Sequence, residues 1–193
     1  MIKSASRSSI TNDQKYRSML AGTVPSSEYL IDSRVLDTAV SFVTFDNLAQ
    51  YAGVYKHLQI VACARSTRAD VDSAIGVQFN GVTSGYFWHE LQGNGSTVSS
   101  SGSTSQTSMR MGFTTGNSSA SNAHGAMVLD VLDPYSTTKN KTFRALTGGT
   151  DLNRIRLTSG SLALTNSLTE IKLLDLFANF AVGSRFSLYG VTA

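Results

Sequence analysis

Apolar and polar residues alternate in short runs along most of the chain, a period of two that predicts strands rather than helices. The run YKHLQIVACAR places Leu58, Ile60, Ala62 and Ala64 on one face, with His57, Gln59, Val61, Cys63 and Arg65 on the other. After the charged turn STRADVDS, Ile75, Val77 and Phe79 alternate again, and Asn80-Gly81 behind them is a hairpin signal. In GYFWHELQ, Tyr86, Trp88 and Glu90 oppose Phe87, His89 and Leu91. Upstream, SEYLIDSRVL puts Tyr29, Ile31, Ser33 and Val35 on one face, and AVSFVTF is apolar on both. Downstream, SMRMGF groups Met109, Met111 and Phe113 on one side. GAMVLDVLD, NKTFRALTG, NRIRLTSG, LTEIKLL and SRFSLYGV follow, for about nine to eleven strands in all. From Tyr29 onward the helical signal is a single turn at DNLAQY, with Asp46 as the candidate N-cap.

Short strands that each own one apolar face need a facing sheet to bury it. The expected architecture is therefore all-β, a jelly-roll-like β-sandwich, with a closed barrel as the alternative. It spans residues 28–193 as one domain. The segment 93–108 is expected to be a polar edge hairpin or a surface loop, because ten of its sixteen residues are Ser or Thr. Residues 1–27 are polar and Ser-rich with no sustained period, and are expected to form an extended N-terminal arm.

Charge sharpens this division. The formal net charge is +3, and residues 1–20 hold Lys3, Arg7, Lys15 and Arg17 against Asp13 alone. The rest of the chain has as many acidic as basic residues, so the excess belongs to the arm. These four cations, with Tyr16, Met19 and Leu20 as apolar contacts, are the expected anchoring residues. Four cations are few for a nucleic-acid interface, and no specific nucleic-acid partner is expected. No apolar stretch is long enough to span a membrane, and MIKSASRSSITNDQKYR lacks the apolar run of a secretory leader. One cysteine, Cys63, excludes an internal disulfide.

Candidate chemistry is sparse. His57, His89 and His124 lie on separate segments without metal-ligand spacing, so no metal or cofactor is expected. Cys63 and His57 share a strand face but stand roughly 20 Å apart along it, too far for a nucleophile and its base. Asp70 and Asp72 read as a solvated loop tip paired with Arg65 or Arg68. Asp130 falls in a strand, and Asp133 begins the turn DPY. Neither pair reads as the two carboxylates of a glycosidase, and no catalytic residue is expected. GNGSTVSSSG lacks the ending of a phosphate-binding loop. Tyr86 and Trp88 have two readings: packing in the core or a subunit interface, or a ring platform for ligand contact, as on a sugar.

Several stretches carry a family resemblance: YKHLQIVACARS, VQFNGVTSGYFWHELQGNGSTVSSS, GAMVLDVLDPYSTTKNKTFRAL and the ending FAVGSRFSLYGV. They resemble a β-sandwich module of virion proteins of tailed bacteriophages, cyanophages among them. The most specific parts are Trp88, Leu91, Gly93, Asn94 and Gly95, then Gly183, Ser184, Phe186, Leu188, Tyr189 and Gly190. The resemblance implies a structural virion protein, and a short arm without a fibrous stalk suits a cement or decoration protein. Such a protein would be a homotrimer that binds the major capsid protein on the outer surface of the capsid. A tail-fibre or receptor-binding protein that holds carbohydrate is the alternative.

Overall fold

A computed structural model of the protein describes residues 28–192. The arm residues Lys3, Arg7, Lys15, Tyr16, Arg17, Met19 and Leu20 lie outside the described residues. The fold is all-β, two antiparallel sheets facing one another. One sheet joins β1 (Glu28–Val35), β3 (His57–Ala64), β8 (Gly125–Leu132) and β12 (Arg185–Val191). The other joins β2 (Phe42–Phe45), β4 (Asp72–Phe79), β7 (Met109–Thr115) and β11 (Ile171–Asp175). Pairing is nested: β1 with β12, β2 with β11, β3 with β8, and β4 with β7. Successive members of this set alternate between the sheets, which is a long hairpin rolled up into a jelly roll.

Two hairpins are inserted into the roll. The strands β5 (Tyr86–Gly93) and β6 (Val98–Gln106) interrupt the β4–β7 connection, and β9 (Lys141–Gly149) and β10 (Arg154–Leu162) follow β8. All four join the first sheet, giving the order β1-β12-β3-β8-β9-β10-β5-β6 against β2-β11-β4-β7. The eight-stranded sheet therefore extends well beyond its four-stranded partner. The Ser-rich tract is the edge strand β6, and with it the described residues hold twelve strands, one more than the sequence predicts.

The core lies between the sheets and follows the alternation. Leu58, Ile60, Ala62 and Ala64 of β3 face Ile75, Val77 and Phe79 of β4, and all are buried. Phe79 and Phe143 pack with ring centres 5.0 Å apart, and Phe180 meets Phe186 edge-on at 4.8 Å. The motif glycines serve turns and close approaches. Asn94 Oδ1 accepts from the Thr97 amide at 2.8 Å across a turn in which Gly95 has φ 90°. Gly190 lies under Tyr55, where a Cβ would come within 2.2 Å of the ring. Among the described residues no helix is long and apolar enough to cross a membrane.

Local expectations fail where the backbone leaves ideal geometry. Asn80 and Gly81 do form a tight turn, with φ 50° and 69° and a 2.9 Å bond from Val82 N–H to the Phe79 carbonyl. That turn closes no hairpin, because β4 and β5 belong to different sheets. Tyr86 fastens it from below: its hydroxyl accepts from Phe79 N–H at 2.7 Å and donates to the Val82 carbonyl at 3.1 Å. A bulge in β7, where Ile75 pairs with Gly112 and Gly76 with Arg110, leaves Met111 as an extra residue. Phe113 therefore changes sides and leaves the face of Met109 and Met111. A shift between Leu30 and Asp32 likewise breaks the single face expected for Tyr29, Ile31, Ser33 and Val35. The 3-10 turn Leu48–Tyr51 is preceded by Asn47 at φ 56° and has no side-chain cap, so Asp46 does not cap it.

Candidate functional site

In most of the described strands the apolar face of the alternation is the buried one, but β10 reverses this over its first half. In β10 the apolar set is Ile155 and Leu157, yet these are 56% and 52% exposed, while Arg156 and Thr158 are buried. A shift of one residue would reverse all four. The observed register is held on both sides, because Leu157 pairs with Leu146 of β9 and with Leu91 of β5.

Interior contacts explain why the polar set points inward. Arg156 Nη1 donates to both carboxylate oxygens of Glu90 at 2.9 Å. Its guanidinium carbon stands 3.8 Å from the centre of the Phe113 ring, a contact the β7 bulge makes available. Burial draws the Arg156 pKa below its usual value and Glu90 opposes that shift. Thr158 Oγ1 donates to the Met111 carbonyl at 3.1 Å. Arg110 lies over Trp88 at 5.1 Å, and Arg154 pairs with Asp72 at 2.9 Å. This polar cluster seals the sandwich where β7 ends the smaller sheet and β10, β5 and β6 run on.

The consequence on the outside is an apolar band. Cross-strand partners run Val61–Val128–Leu146–Leu157–Leu91, one side chain from each of β3, β8, β9, β10 and β5. The next row is Cys63–Ala126–Gly148–Ile155–Gly93–Val98. Its small members leave a shallow hollow between Val61, Val128, Leu146 and Ile155. On the other side the band is bordered by Gln59, Asp130 and Arg144. Asp130 accepts from Gln59 and from Arg144, each at 2.8 Å, so this border carries no net charge. Single exposed aliphatic residues are ordinary on a protein surface, but contiguous apolar patches mark interaction sites. Three of the five strands that build its first row belong to the inserted hairpins.

The titratable groups form no comparable centre. His57 Nδ1 accepts from the Asp133 amide at 3.1 Å, while His89 and His124 lie elsewhere. Among the described residues no three His, Cys, Asp or Glu side chains converge as metal ligands. Cys63 is exposed in the second row of the band. Arg68 takes both Asp70 and Asp72 as partners. Arg65 instead donates to the carbonyls of Asn117, Ser119, Ala120 and Ala123, clamping the 117–123 loop.

Tyr86 is fully buried and Trp88 is 6% exposed, so both rings pack in the core, the first of the two readings. Phe87, on the opposite face, is the exposed aromatic of β5. The band itself escaped the reading of single strands, although Leu146 and Leu91 each stand on the outward face of their own alternation. NRIRLTSG by itself carries no signal of the reversal, because the burial of Arg156 depends on Glu90 of a distant strand. No protein-family model, curated protein or solved structure matches the chain.

Proposed function

We propose that the chain is a structural virion protein of a tailed bacteriophage, a cement or decoration protein that binds the major capsid protein outside the shell. One observation carries the assembly role: the inverted strand β10, which keeps Ile155 and Leu157 outside while holding Arg156 inside. An exposed apolar band held in place by a buried ion pair has the composition of an interface core, apolar and free of unpaired charge. The viral assignment draws on the resemblance of the body strands, and jelly rolls serve widely in viral capsids and lectins.

In this reading the band packs against apolar surface of adjacent capsomers. A protein that binds the assembled lattice but not its free subunits stabilises the lattice by mass action. Each bridged pair of capsomers then has additional interface to break before internal DNA pressure can rupture the shell. The arm supports the same attachment. Once the body docks, Lys3, Arg7, Lys15 and Arg17 search for acidic shell residues at high effective concentration, and Tyr16, Met19 and Leu20 supply apolar anchors.

The test is decoration of shells made from the phage's own capsid protein. The full chain is expected to co-sediment with shells, and removal of residues 2–20 is expected to weaken binding while leaving a folded body. Undiminished occupancy by the truncated chain would remove the arm from the account. Tight binding to a glycan array with no affinity for shells would instead favour the receptor-binding role.

A further inference from the structure

The two edges of the large sheet are guarded very differently. Edge strands offer unpaired N–H and C=O groups, and proteins ordinarily protect them with charges, proline or bulges. β1 has all but the proline: Glu28, Asp32 and Arg34, with an irregularity between Leu30 and Asp32. β6, at the opposite edge, reads VSSSGSTSQ and has neither charge nor proline. That lack extends over the whole of 93–108. Eight of the nine residues of β6 are exposed, and its regular part runs from Val98 to Ser103 before the register shifts opposite β5.

We infer that β6 is a self-pairing edge, through which two copies of this chain join β6 to β6 antiparallel about a two-fold axis. The occupant is a second copy for two reasons on the strand itself. First, an uncharged strand meets an identical strand without like-charge repulsion, whereas β1 against β1 would juxtapose like charges. Second, residues opposite one another in an antiparallel pair point to the same face, so the axis must fall on a residue or between residue pairs of matching parity. An axis at Ser100 centres the pairing on the regular run. It sets Val98 of each copy opposite Gly102 of the other.

That register resolves two oddities. Val98 is 74% exposed, the most exposed large apolar side chain among the described residues. Gly102 lies under the ring of His89, where a Cβ would come within 2.6 Å of it. His89 of the same chain already covers Gly102, as an aromatic ring compensates an edge glycine, and Val98 of the other copy then packs against the edge of that ring. The apolar rows of both copies then lie on one side of a continuous sheet. This inference needs only the edge and its register, and it puts a two-fold pair in place of the homotrimer that the resemblance implies.

The experiment uses the full chain with Cys63→Ser as background. Light scattering is expected to give twice the 20.6 kDa chain mass. Ser100→Cys is expected to form a chain-to-chain disulfide under mild oxidation, while Thr104→Cys, also exposed but away from the axis, does not. Ser100→Lys sets like charges directly opposite one another at the axis and is expected to halve the measured mass while the melting transition stays cooperative; Ser100→Glu is the second variant, should the first misfold. A monomer at every concentration, a trimer, or equal crosslinking at residues 100 and 104 would overturn the inference.

Discussion

Replacing Glu90 by alanine tests the physical basis of the exposed band. Glu90 and Arg156 have side-chain exposures of 7% and 8%, so water contributes little to either charge. In the native chain one guanidinium nitrogen bridges both carboxylate oxygens, while Arg156 Nε has no partner among the described residues. Removing Glu90 leaves a buried cation facing an aromatic ring and two other guanidinium groups. Breaking a buried pair from one side typically costs about 3–5 kcal/mol, against about 0–1 for an exposed pair. With a urea slope of about 2 kcal/mol per M, the midpoint should fall by roughly 2 M. Equilibrium urea unfolding at neutral pH provides the measurement. The double change Glu90→Leu with Arg156→Met removes both charges and should recover most of the loss, because an apolar pair of similar volume often matches a buried ion pair. A cost below about 1 kcal/mol for Glu90→Ala would refute the reasoning. The inward set of β10 would then need another explanation.

Three further outcomes follow from particular contacts. Gly190→Ala should cost at least about 1–3 kcal/mol in denaturant unfolding, because its Cβ would press into the Tyr55 ring. Arg65→Met should release the 117–123 loop, read as faster amide exchange confined to that loop and its neighbours, since four carbonyls lose their shared donor. Burial raises the Tyr86 pKa from 10.0 to about 12, so the folded chain keeps a proton that the unfolded chain releases. Stability should consequently decline as pH rises from 10 towards 12. Tyr86→Phe should flatten that decline while losing about 1–3 kcal/mol at neutral pH, where the Phe79 amide loses its partner.

Much of the fold is legible because local alternation and burial agree over most strands. The inward set of β3 and the opposition of Tyr86, Trp88 and Glu90 to Phe87, His89 and Leu91 stand as the period of two predicts. Phe113 was not legible, since one extra residue at Met111 reverses its side and nothing nearby announces a bulge except Gly112 at φ 146°. β10 was not legible for a related reason. Its inward Arg156 depends on Glu90, 66 residues earlier, and on the ring that the β7 bulge turns towards it. The band is one step further removed, because it appears only when five strands from distant parts of the chain are set in register. The arm had the opposite character: its cations were plain from charge counting, and they lie outside the described residues.

The most direct test of the central claim is shell binding by a chain whose band is made polar, with Leu146→Ser and Leu157→Ser combined. Both side chains are about half exposed, so the variant should remain folded. Co-sedimentation with purified shells, measured across a concentration series beside the unaltered chain, gives the affinity. The account predicts at least a tenfold loss of affinity with the melting transition still cooperative. Binding equal to that of the unaltered chain would show that the band is not the docking surface.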